Sequence, residues 1–166
     1  MKFQTNPELG PFINHWGCFF TSILEKVEKS TGWTKHFSNA NVVGIYQHGM
    51  DAGWITKEEW NGSTPKDGCF VLNAPAVYNY AAEMIEAHAR CTKYRKADKL
   101  YIPQYGEEEI LCLGRNGYNG NHFVAGTGAA HDPGWNQEIE FDPIEGGSRC
   151  AKEGFIVSKR ILSITA

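Results

Sequence analysis

Asn121-His122-Phe123-Val124-Ala125-Gly126 and Ile139-Glu140-Phe141-Asp142-Pro143 flank the turn signal His131-Asp132-Pro133-Gly134, and their pairing decides how this chain folds. Both stretches have strand character, and the residues between them suit a hairpin connection. Opposite residues in an antiparallel ladder share a face. Setting His122 against Asp142 centres the hairpin at position 132 and places Phe123 against Phe141, Ala125 against Ile139 and Val124 against Glu140. One face is then apolar, with Phe123, Ala125, Ile139 and Phe141. A slip of one residue mixes the faces. The hydrophobic pattern therefore predicts that an imidazole and a carboxylate meet, since paired strands lie only about 4.8 Å apart.

Working outward, the second half reads as strands over 89–95, 109–114, 121–127, 137–142 and 155–164, separated by Pro103, Asn116-Gly117 and Gly146-Gly147. The first half reads as helices. Phe20, Ile23, Leu24 and Val27 recur at helical spacing from Gly17 or Cys18 to about Lys29, with Glu25, Lys26, Glu28 and Lys29 expected to face away. A second helix is expected after Ser38 and broken by Gly53; a third follows Asn73-Ala74-Pro75, an N-cap with proline in the first turn. Residues 56–66 read as a loop or short helical turn, and Cys69-Phe70-Val71-Leu72 as a short extended run. Helices followed by a mostly antiparallel sheet predict an α+β domain spanning 1–166.

Composition narrows the function. The chain has 166 residues and a net charge of −3, which gives no general attraction to nucleic acid or anionic membrane. The basic run Arg90 to Lys99 and the acidic run Glu107 to Glu109 read as solvated hairpin strands or connecting loops. No apolar run approaches the ~20 residues that cross a bilayer, and no signal-peptide pattern opens the sequence, so a cytoplasmic protein is expected. Five cysteines, at 18, 69, 91, 112 and 150, form no Cys-x-x-Cys pair. They read as reduced thiols, with no metal and no cofactor expected.

Cys18 is different from the other four. It lies in Asn14-His15-Trp16-Gly17-Cys18-Phe19-Phe20, where a glycine turn opens the first helix. A thiol attacks as thiolate, and a helix N-terminus together with an imidazolium favours that form. His122 is placed to take the thiol proton and return it to a leaving group. Asp142 is placed to hold the ring's tautomer and orientation. The Cys18 N–H, in the first helical turn, is free to help hold an oxyanion.

Gly17-Cys18 at a helix start, Gly120-Asn121-His122-Phe123-Val124, and Phe141-Asp142-Pro143 together resemble the papain-like cysteine peptidase superfamily. Within it, the chain looks most like the bacterial branch of double-glycine-leader peptidases, which process bacteriocins, and small phage or prophage proteins near that branch. The resemblance implies a papain-like fold, with Cys18 as nucleophile, His122 as base and acid, Asp142 as orienting residue, and a peptide or protein substrate. It also implies a glutamine about six residues before the cysteine, as second oxyanion donor. Position 12 is Phe12, so Asn14, His15 and Gln4 are the upstream candidates for that donor or for substrate contact. The expected activity is peptide or amide hydrolysis through a thioester. The alternatives are a related acyltransferase or peptidoglycan amidase, and a catalytically silent accessory protein on the same scaffold.

Overall fold

The structure, a computed structural model, describes residues 3–56, 71–118, 121–128 and 138–166. After a 3-10 turn at Pro7–Leu9 come α1 (Pro11–Trp16), α2 (Cys18–Ser30), α3 (Asn39–Ala52) and α4 (Ala74–Met84). The strands β1 (Arg90–Ala97), β2 (Glu107–Gly114), β3 (His122–Gly126) and β4 (Ile139–Phe141) follow, then α5 (Arg149–Glu153) and β5 (Phe155–Thr165). This is an α+β protein whose strands form one antiparallel sheet in the order β1-β5-β2-β3-β4. The turn at 129–134, residues 57–66, and Cys69-Phe70 lie outside the described residues.

The helix boundaries follow local chemistry. Ser38 caps α3 in a capping box with Asn41, and Gly53 ends it in the left-handed region at φ 79°. Asn73 caps α4 by accepting from the Ala76 N–H, with Pro75 in the first turn. The break between α1 and α2 is set by packing: a Cβ on Gly17 would lie 2.5 Å from the Ile13 carbonyl oxygen. Only glycine lets the two helices meet that closely.

Helix α2 is the centre of the molecule. Phe19, Phe20, Ile23, Leu24 and Val27 are buried among Phe123, Ile110, Cys112 and Leu162 of the sheet and Val77 and Ala81 of α4. The Phe19 and Phe123 rings meet edge to face at 4.9 Å. The expectation that Glu25, Lys26 and Glu28 face solvent is corrected: each is 1–2 % exposed. Each has at least one hydrogen-bond partner inside the fold. Lys26 Nζ donates to Glu108 at 2.9 Å and to the Gly126 carbonyl, with Glu140 at 3.4 Å. Glu28 accepts from the Phe37 N–H and Glu25 from the Trp33 indole.

The charged runs are corrected in the same way. β1 and β2 are not a hairpin, because β5 inserts between them. Glu109 is fully buried, taking the ammonium of buried Lys159 at 2.9 Å, while Glu108 serves Lys26 and Lys29. The acidic run therefore serves both faces of the sheet, as alternation along a strand requires.

The β3–β4 register also departs from expectation. Ala125 opposes Phe141 and Gly126 opposes Ile139, with an irregularity between them. Phe123, Ala125 and Phe141 still share a face, because the ladder has moved by two residues. The bulge turns Ile139 to the opposite face, where it packs with Leu111, Leu113, Val124, Cys150 and Ile156. It sends Glu140 to Lys26 and Lys29. A bulge of this kind adds one unpaired residue and re-aims its neighbours.

Candidate active site

Three elements converge at the start of β3. Helix α2 crosses β3 there, through the Phe19–Phe123 ring contact and a 3.5 Å bond from the Ser22 hydroxyl to the Phe123 carbonyl. Cys18 opens α2 and is 7 % exposed; His122 opens β3 and is 8 % exposed. Asp142 follows β4. Continuing the observed pairing by one residue sets Asp142 opposite Val124, so His122 and Asp142 are diagonal neighbours rather than directly opposed. The diagonal is short enough: His122 Nε2 lies 2.7 Å from Asp142 Oδ1.

Asp142 is held on every side. Oδ1 also accepts from the Ile144 N–H at 3.0 Å, and Oδ2 accepts from the Ser148 N–H at 2.8 Å and the Ser148 hydroxyl at 2.7 Å. Burial alone would raise its pKa, but the hydrogen bond and charge of His122, with the two N–H donors, hold it below the ordinary carboxylate value. Burial likewise opposes the charge on His122. The hydrogen bonds to Asp142 and Cys18 and the charges of the same two groups overcome it, raising the imidazolium pKa to about 9. With Nε2 engaged by Asp142, Nδ1 is the nitrogen left for the Cys18 thiol.

Three other cysteines are described. Burial pushes the thiols of Cys91, Cys112 and Cys150 up, and Cys112 and Cys150 have only weak opposing help from Arg160 and Arg115. They sit in the core as small apolar groups. All four described cysteines are free thiols; Cys69 lies outside the described residues.

The oxyanion candidates separate by geometry. Gly17 supplies no side-chain cap to α2, so the first-turn N–H groups, that of Cys18 included, have no intrahelical acceptor. Asn14 spends both amide hydrogens on carbonyls, those of Gln4 at 2.6 Å and Asn6 at 2.8 Å. Its side chain ties down the N-terminal segment. His15 is exposed in the last turn of α1. Phe12 stacks on Tyr46 at 5.3 Å and has no polar group to offer.

Gln4 is placed differently. Its N–H donates to the Pro143 carbonyl, next to Asp142, and its Nε2 donates to the Asn14 carbonyl, just upstream of Cys18. It is 2 % exposed, and its Oε1 has no hydrogen-bond partner among the described residues. Gln4 thus bridges the segment leading to the thiol and the loop leaving the carboxylate, with one Nε2 hydrogen unspent. The side chain that sequence reading missed is Ser148, whose signal was its N-cap position before Arg149-Cys150-Ala151.

Among the described residues no three His, Cys, Asp or Glu side chains are grouped to hold a metal ion. No helix among the described residues is long and apolar enough to cross a membrane. The arrangement is a thiol, an imidazole and a carboxylate in series on an α+β scaffold, the layout of nucleophilic acyl-transfer sites. Compared with family models, curated proteins and solved structures, the chain matches none.

Proposed function

We propose that this chain is a papain-like cysteine hydrolase that cleaves a peptide or other amide bond through a thioester on Cys18. The observation that carries this reading is the 2.7 Å hydrogen bond between His122 Nε2 and the Asp142 carboxylate, which leaves the opposite ring nitrogen for the thiol. The order of events follows from these atoms. His122 takes the Cys18 proton, and the sulfur attacks the amide carbon. The resulting oxyanion lies by the Cys18 N–H, with Gln4 Nε2 as its second donor. As the C–N bond breaks, His122 returns the proton to the leaving amine and a thioester remains. Water, deprotonated by His122, then attacks the thioester, releasing a carboxylic acid and restoring the thiol.

In this reading Gln4 would take the role of a glutamine at position 12, reaching the Asn14 carbonyl from the N-terminal segment rather than from α1. That placement favours an active enzyme over a silent accessory protein on the same scaffold.

The test is labelling with iodoacetamide at pH 6, where ordinary thiols remain protonated, with modified sites located by mass spectrometry. Cys18 is expected to react selectively, and His122→Ala to abolish the selectivity. Slow, even labelling of all five cysteines would refute the proposal.

A further inference from the structure

We propose that Ser148 is a positioning residue that orients the Asp142 carboxylate toward His122 and makes α5 part of the candidate active site; its catalytic meaning rests on the hydrolase reading above. Ser148 places two donors on one oxygen: its N–H at 2.8 Å and its hydroxyl at 2.7 Å both reach Asp142 Oδ2. Oδ1 is thereby the oxygen presented to the imidazole. The same hydroxyl accepts from the Ala151 N–H at 3.0 Å, capping α5. One side chain therefore both starts a helix and fixes the plane of a carboxylate.

The chain brings Ser148 back to Asp142 by local means. Gly146 and Gly147 adopt φ of 86° and 87°, and the Gly147 N–H returns to the Ile144 carbonyl at 2.9 Å. Two successive left-handed residues suit glycine and little else. At its far end, α5 is pinned by Gly154, where a Cβ would lie 2.1 Å from the Gly114 carbonyl oxygen. Gly114 ends β2, one residue after Leu113, which pairs with His122, and is itself paired with Phe155 at the start of β5. The helix that holds Ser148 is thus registered to the same sheet that holds the imidazole.

Other titratable groups around the pair are accounted for. Asp142 and Cys18 are the groups acting on His122. Cys150 on α5 faces Asp142, Cys18 and Arg115, and burial keeps its thiol protonated. Tyr118, beyond β2, lies near Cys18 and Cys150 and is raised by burial. None of them replaces the Ser148 hydroxyl as a donor to Oδ2.

The experiment compares wild type with Ser148→Ala, Ser148→Gly and Ser148→Thr in the full chain. Glycine serves at a helix N-cap nearly as well as serine, so Ser148→Gly removes the hydroxyl while sparing α5. Two signals are read: the rate of Cys18 alkylation by iodoacetamide at pH 6, and the titration of the His122 ring by NMR. Ala and Gly are expected to slow alkylation by about tenfold to a hundredfold, as loss of alignment does. They are also expected to lower the His122 titration from about 9 by about one unit, a tenfold change in proton affinity. Thr is expected to restore both.

Wild-type alkylation and titration in Ser148→Ala and Ser148→Gly, with only thermal stability reduced, would make Ser148 a cap alone and overturn the proposal. Absence of selective Cys18 labelling in wild type would instead overturn the hydrolase reading. In that case the His122 titration still decides whether Ser148 orients Asp142.

Discussion

Replacing Gly17 with alanine tests whether the gap between α1 and α2 is what seats the Cys18 thiol. The added methyl would lie 2.5 Å from the Ile13 carbonyl oxygen and 2.8 Å from its Cγ2. Its neighbour on the first count is backbone, so α1 and α2 must separate. Overpacking of this kind costs about 1–3 kcal/mol. Alanine's intrinsic advantage over glycine, about 0.4–1 kcal/mol, offsets part of that. The net expectation is a loss of about 1–2 kcal/mol, or a Tm lower by about 2–8 °C for a chain of this size. Because Cys18 is the next residue, a shift approaching ~1 Å is also expected to slow its labelling at pH 6 by up to about a hundredfold. Gly44 supplies the control. It lies inside α3 with nothing within 4 Å of a Cβ, so Gly44→Ala is expected to stabilise by about 1 kcal/mol and leave labelling unchanged. Circular dichroism melts and mass-spectrometric labelling measure both. If Gly17→Ala behaves like Gly44→Ala on both counts, the packing account of the site is wrong.

Two further outcomes follow from buried charge. Lys26→Met leaves the Gly126 carbonyl without its ammonium donor and Glu108 and Glu140 with Lys29 alone. Breaking a buried pair from one side costs about 3–5 kcal/mol, so a Tm drop of roughly 10 °C is expected; a drop under ~2 °C would mean the network contributes little. The second concerns pH. His122 is raised from 6.5 to about 9 on folding, so the stability it contributes is fully present below pH 6.5 and is lost as pH climbs through 9. Melts taken between those limits should show a steeper decline in wild type than in His122→Ala. Parallel declines would remove His122 as the source.

Much of this architecture is written locally. Ser38, Gly53 and Asn73 announce helix ends through their own side chains or lack of one, and the structure places the ends of α3 and α4 at these residues. The pairing of His122 with Asp142 was legible because face parity survives a shift of two residues, and the observed ladder moved by that amount. What was not legible required knowing neighbours distant in sequence. Glu25, Lys26 and Glu28 look like a solvated helix face until Glu108, Trp33 and the Phe37 backbone are brought against them. The bulge at Glu140 turns that carboxylate toward Lys26 and Lys29, more than a hundred residues away in sequence. Gln4 stands fourteen residues before Cys18 in the sequence, and nothing in its own surroundings shows that Asn14 and Pro143 will clasp it.

The position of β5 has a kinetic consequence. It pairs with β1 on one side and β2 on the other, yet follows both in the chain. During synthesis, β1 and β2 emerge with no strand between them and leave a gap that neither can close. Helix α2 and the hairpin of β2 with β3 can form early, but their floor is incomplete until residues 155–165 arrive. Long-range closure of this kind is slow to nucleate. A nascent chain would therefore carry Cys18 and His122 well before the sheet beneath them is complete, and β5 would be the strand that completes it.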